Sequence, residues 1–194
     1  MNAMKKSMLT LAVLLASLTC AAQEHLSFSG IPIEGSMEEF CLKLEEKGFD
    51  EWEIYDNLTV LTGTFTGREA TISVFSDDEG VNVHSVAVRF TPAVEWKTLV
   101  DTYNYYKELY TRKYGNPKKV AEENSKVEAG ALNPILMLEL WQGRVTWTSQ
   151  WETTGGDIEL SVEKTSKVCE GAVVIRYRDA QNEETRTQKY MEEI

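Results

Sequence analysis

The chain has 194 residues, and its 20 Lys and Arg against 31 Asp and Glu give a formal charge of −11. Such a surface repels phosphate backbones and anionic headgroups, so nucleic acid and acidic membranes are excluded as expected partners. Two histidines and three cysteines without ligand spacing argue against a zinc site, and no glycine loop of the kind that cradles phosphate precedes a helix; no cofactor is expected.

The first 22 residues have the three parts of a secretory signal. Lys5 and Lys6 make a basic start, residues 9–18 are an apolar run of about ten, and Cys20, Ala21 and Ala22 are a small-residue exit. The run is short of the ~20 apolar residues that span a bilayer. Small residues at Cys20 and Ala22 favour cleavage between Ala22 and Gln23. The competing route, lipoprotein processing at Cys20, has Thr19 where Gly or Ala is expected and Ser17 where Leu is expected. Removal of residues 1–22 takes two lysines and no acid. It leaves 172 residues with 18 basic and 31 acidic side chains, a charge of −13. A chain of that length buries enough surface to fold as one domain, residues 23–194, without a metal or disulfide staple. Cys20 leaves with the signal or is lipidated. Cys41 and Cys169 remain, and an oxidising compartment leaves open both a disulfide between them and two separate buried thiols.

In chain order, residues 26–33 suit a short leading strand. A helix is expected over 36–47: Ser36 caps it, Glu39 completes a capping box, Met37, Phe40, Cys41 and Leu44 form one apolar face, and Gly48 ends it. Strands follow at 58–66, 69–76 and 81–90, with turns at Thr66-Gly67 and Asp77-Asp78-Glu79-Gly80. A longer helix covers 94–114, with Trp96, Leu99/Val100, Tyr103, Tyr106, Leu109/Tyr110 and Tyr114 on its stripe, Tyr105 off it, and Gly115 as its stop. Residues 118–130 are polar and read as a loop, and 133–142 as a short helix. Strands at 144–153, 157–164 and 172–178 alternate clearly. Val145, Trp147 and Trp151 share one face, as do Ile158, Leu160 and Val162. One wet and one buried face indicate an antiparallel sheet covered by helices on a single side. The polar end, 179–194, reads as a tail with a frayed helix over 182–194.

The two groups of strands resemble each other. Residues 65–74 align with 153–162, matching Gly67 to Gly155 and Ile72 to Leu160, and residues 85–90 align with 172–177, matching Val88 to Ile175 and Arg89 to Arg176. The expected fold is therefore α+β, a tandem repeat of a helix plus three antiparallel strands, with repeats at about 31–90 and 94–178 and the helices on one sheet face. The stretch from Ile31 through Gly35, Ser36, Phe40 and Leu44 to Gly48-Phe49 resembles the opening of small secreted bacterial proteins without assigned function. The repeated helix-then-strands layout resembles the β-lactamase-inhibitor-protein-like fold, which includes outer-membrane assembly lipoproteins of the SmpA/OmlA type. That resemblance implies a binding or assembly role, although a fold alone does not fix function.

No residue forms a recognisable catalytic set. His25 falls at the mature N-terminus, where mobility is expected, and His84 lies inside a strand. Glu152, Glu159 and Glu163 fall on the wet face with no apolar wall to raise a pKa. Asp77-Asp78-Glu79-Gly80 lacks calcium-loop spacing and reads as a hairpin turn. The expectation is a non-catalytic periplasmic or secreted binding module that meets a protein partner of the envelope through its polar sheet face or loops. The alternatives are an envelope hydrolase with an unrecognised site and a lipid-anchored assembly component. Intact mass of the exported protein is expected to fit a chain beginning at unmodified Gln23. A mass fitting a chain that begins at a diacylated Cys20 overturns this.

Overall fold

The computed structural model describes residues 24–78, 80–124, 133–192 and 194; residues 1–22, expected as an export signal, and Glu79 lie outside these. Among the described residues, four helices and one large antiparallel sheet make an α+β fold. A hairpin of β1 (Ser27–Phe28) and β2 (Ile31–Pro32) leads into α1 (Met37–Glu45). The first half continues through β3 (Asp50–Ile54), β4 (Leu58–Phe65), β5 (Arg68–Ser76) and β6 (Val83–Phe90). The second half runs α2 (Trp96–Tyr114), β7 (Lys119–Asn124), α3 (Asn133–Trp141), β8 (Val145–Thr153), β9 (Gly156–Lys164) and β10 (Gly171–Asp179). It ends in α4 (Ala180–Glu192).

The eight long strands lie in the order β3-β4-β5-β6-β10-β9-β8-β7. Each half forms a meander from an outer edge to the middle, and β6 and β10 pair antiparallel where the halves meet. One row of the buried face crosses six strands through Leu61, Ile72, Val88, Ile175, Leu160 and Ser149. The next crosses Thr59, Val74, Val86, Tyr177, Ile158 and Trp151. A period of two residues keeps all of these on one side.

α1, α2 and α3 cover that side. Ser36 accepts the Glu39 amide at 3.3 Å as the expected cap, and Phe40, Cys41 and Leu44 point into the core. α2 buries Trp96, Leu99, Tyr103, Tyr106 and Tyr110 along one stripe and leaves Tyr105 exposed. Tyr103 would bring a bare hydroxyl into the core, but it meets Ser149 Oγ at 2.6 Å, so the polar end of this row is satisfied. Gly171 in β10 lets α2 and α3 approach: a Cβ there would sit 2.6 Å from Leu140 and 2.8 Å from Leu99.

Several expectations change. β3 is a strand not foreseen, and the polar stretch expected as a loop begins with β7. The leading strand is a two-residue hairpin, and the tail is helical from Ala180. Helices do not all lie on one face. Glu183 and Arg186 of α4 share a depression with Phe75, Ser85, Ala87, Arg176 and Arg178, which belong to the opposite face or the bulge beside it. Among the described residues no helix is long and apolar enough to cross a membrane.

Gly171→Ala is expected to cost about 1–3 kcal/mol, because the added methyl overpacks the α2–α3 junction. Equilibrium urea unfolding measures it, and an unchanged midpoint would show that the helices are free to give way.

Candidate functional site

A cavity of about 790 Å3 opens between the β1–β2 hairpin, the C-terminal half of α2, the β4–β5 turn and the β8–β9 turn. Leu26, Phe49, Phe65, Leu109, Tyr110 and Tyr177 make most of its apolar lining, with hydroxyls from Ser27, Ser29, Thr64, Thr66, Thr153 and Thr154 around them. This is the size and chemistry of a small-molecule site. Lys47 and Lys113 line it too, and neither forms an ion pair among the described residues; Lys113 Nζ lies 4.8 Å from the centre of the Tyr114 ring. Glu24 adds one opposing charge.

The sequence places two tyrosines at the cavity base, Tyr110 from the α2 stripe and Tyr177 from the core face of β10. Their hydroxyls hydrogen-bond each other. Burial drives both phenol pKa values above the ordinary value, so both stay protonated across the physiological range. Trp151 packs on Tyr110, ring centres 5.6 Å apart, and donates its indole N–H to the Gly115 carbonyl at 2.9 Å, which fixes the end of α2.

The hairpin wall hangs on Asp179. This fully buried carboxylate ends β10 and caps α4, with Oδ1 accepting the Asn182 amide at 3.0 Å. Oδ2 accepts the Leu26 amide at 2.7 Å, and Oδ1 lies 3.1 Å from His25 Nδ1. Asn182 then donates to the Ile33 and Val83 carbonyls, both at 2.9 Å. Gly155 completes the seam, since a Cβ there would come within 2.5 Å of the Glu24 carbonyl and the Leu26 amide.

His25 is thus not mobile as expected; it is partly buried and held by a residue 154 positions away. Its Nε2 faces Glu34 at 3.5 Å. Both ring nitrogens therefore meet carboxylates, the wrong arrangement for a base that activates a hydroxyl. His84 sits at a bulge in β6, buried, with Nδ1 2.8 Å from Glu183 Oε1. The His84 contact comes first among the causes that hold the Glu183 carboxyl below its usual value.

The wet-face carboxylates are paired across strands. Glu163 binds the Arg176 guanidinium through both oxygens and accepts Ser161 Oγ. Burial works to raise its pKa, but these partners outweigh burial and hold it below the usual value. Arg178 meets Asp157 at 2.8 Å and Glu159 at 3.4 Å, and Glu152 lies 3.7 Å from Lys118. In the 77–80 turn Asp77 accepts the Val81 and Asn82 amides and the Asn82 side chain, so its oxygens serve the turn itself. Cys41 and Cys169 are both free thiols, and the disulfide left open by the sequence is not formed. Cys41 is buried in α1, where burial pushes its thiol up to about 11; Cys169 lies in the β9–β10 connection. Ala22 and Gln23 lie outside the described residues.

The signal that would have found Asp179 was local: an acidic residue between an alternating strand and a polar helical stretch is a cap signature. Its contacts with His25 and Leu26 leave no trace in sequence. Comparison with family models, curated proteins and solved structures yields no match.

Asp179→Ala is expected to destabilise the fold by about 2–4 kcal/mol, because it strands buried amide donors of the hairpin and of α4. Asp179→Asn, which keeps acceptor capacity at Oδ1, is expected to cost less. Thermal or urea unfolding orders the two, and equal losses would refute the hydrogen-bonding role.

Proposed function

We propose that the chain is an exported, non-catalytic binding module whose ligand is a small amphipathic molecule held in the hairpin–α2 cavity. The observation that carries this is the cavity itself: a largely apolar volume of about 790 Å3 whose one histidine has both ring nitrogens facing carboxylates. Lys47 and Lys113 suit an anionic group on the ligand, and the aromatic floor suits its apolar body. The open sheet face is less suited to a protein partner than the sequence suggested, because its arginines and carboxylates already neutralise one another. Activity outside the cytoplasm, in the periplasm or secreted, rests on the export signal of residues 1–22.

The same proposal includes a tandem repeat. Val88 and Ile175, matched by the alignment, pair with each other across the centre of the sheet. Ile72 pairs with Val88 as Leu160 pairs with Ile175, and Leu61 with Ile72 as Ser149 with Leu160. Equal registers on the two sides are what duplication of one unit would leave. The layout also supports a relationship to the β-lactamase-inhibitor-protein-like fold and its SmpA/OmlA-type members, as a proposal at the level of fold.

The ligand site is tested with the amphipathic anion 1-anilinonaphthalene-8-sulfonate as probe on the mature chain. Saturable one-to-one binding is expected, weakened at least fivefold by Leu109→Glu and by Thr64→Trp, with unfolding midpoints unchanged. Non-saturable binding, or equal affinity in both variants, overturns the assignment.

A further inference from the structure

The two edges of the large sheet differ. At one edge β7 is tied to α2, with Lys107 reaching Glu122 and Tyr103 donating to the same carboxylate. At the other, β3 pairs with β4 alone, and its outer side has no strand partner among the described residues. All five β3 residues are exposed. Trp52 is 67% exposed, Ile54 69% and Tyr55 54%, three large apolar side chains in four residues. Isolated exposed apolar residues are ordinary, but three together on an unpaired edge leave backbone donors and acceptors beside apolar surface.

The charge here has one sign. Asp50, Glu51, Glu53 and Asp56 fall within seven residues that hold no Lys or Arg. Acidic side chains and the bulge between Glu51 and Glu53 protect the edge against a second copy of the chain, because self-pairing sets like charges against each other. The same charges attract a basic strand. We propose that the free edge of β3 accepts an extended segment of another protein, one in which Lys or Arg alternates with apolar residues, as a ninth strand of the sheet. Backbone hydrogen bonds supply the pairing, Trp52 and Ile54 the apolar contacts, and the acidic side chains the selection for a basic sequence. This surface is separate from the cavity, and its test does not depend on the cavity's ligand.

The probe is the acetylated and amidated peptide Lys-Val-Lys-Val-Lys-Val-Lys, added to the mature chain. Two controls accompany it: a peptide with Pro at the Val positions, which keeps the charge but cannot pair, and one with Glu at the Lys positions. Calorimetry reads affinity, and hydrogen exchange with mass spectrometry reads amide protection over residues 50–55. The expected result is binding of the first peptide alone, new protection over 50–55, and at least tenfold weaker binding to the double variant Glu51→Lys, Glu53→Lys and to Trp52→Ala. All three sites are exposed, and the unfolding midpoint verifies that each variant is folded. Equal binding of the proline peptide overturns the proposal, because it shows charge attraction alone. So does protection confined to other strands, an absence of binding, or sedimentation showing that a second copy already occupies the edge.

Discussion

The antiparallel pairing of β6 with β10 is the constraint on which the other elements depend. Each half of the chain makes a meander with a helix, and neither meander closes on itself. Without this pairing each would expose an inner edge and half of every buried row. With it, Val86 and Val88 continue into Tyr177 and Ile175, and the two apolar faces become one core. Helices α1, α2 and α3 then cover a continuous surface, which accounts for the buried aromatic stripe of α2 lying over second-half strands. Both central strands must have their backbone groups satisfied by each other, since neither edge could be left bare inside the sheet.

Asp179 has the corresponding role at the cavity. A buried carboxylate is costly unless its oxygens are filled, and here they are filled by Leu26, His25 and Asn182. The arrangement joins the chain's leading segment, the last central strand and the last helix at one point. It explains why a two-residue hairpin, too short to be stable by itself, holds a fixed position against Gly155 and Tyr177. The wall of the cavity is therefore a consequence of how β10 ends.

Legibility in the sequence followed burial. Strands β4, β5, β6, β8, β9 and β10 alternate because one side of each is buried, and their limits fall within about two residues of those the pattern indicates. The stripe of α2 was readable for the same reason. β3 and β7 were not, because edge strands lack a strong buried face: Asp50–Ile54 is exposed throughout, and Lys119–Asn124 is mostly polar. His25 and Cys41 show the limit from the other direction. The pairing of His25 with Asp179 spans 154 residues, and the distance between Cys41 and Cys169 depends on the packing of both halves. Spacing along the chain holds no information about either.

The matched registers also show where to seek function. Rows through Ile72 and Val88 on one side have counterparts through Leu160 and Ile175 on the other, and these positions are occupied by core residues on both sides. Among the described residues, the features without a counterpart are the β1–β2 hairpin, α3, α4 and the exposed apolar cluster of Trp52, Ile54 and Tyr55 on the acidic β3 edge. Matched positions filled by core residues are constrained by packing, so the unmatched features are the ones free to carry chemistry particular to this chain. The cavity has its hairpin wall there, held by Asp179 and Asn182, and the exposed acidic edge lies there as well.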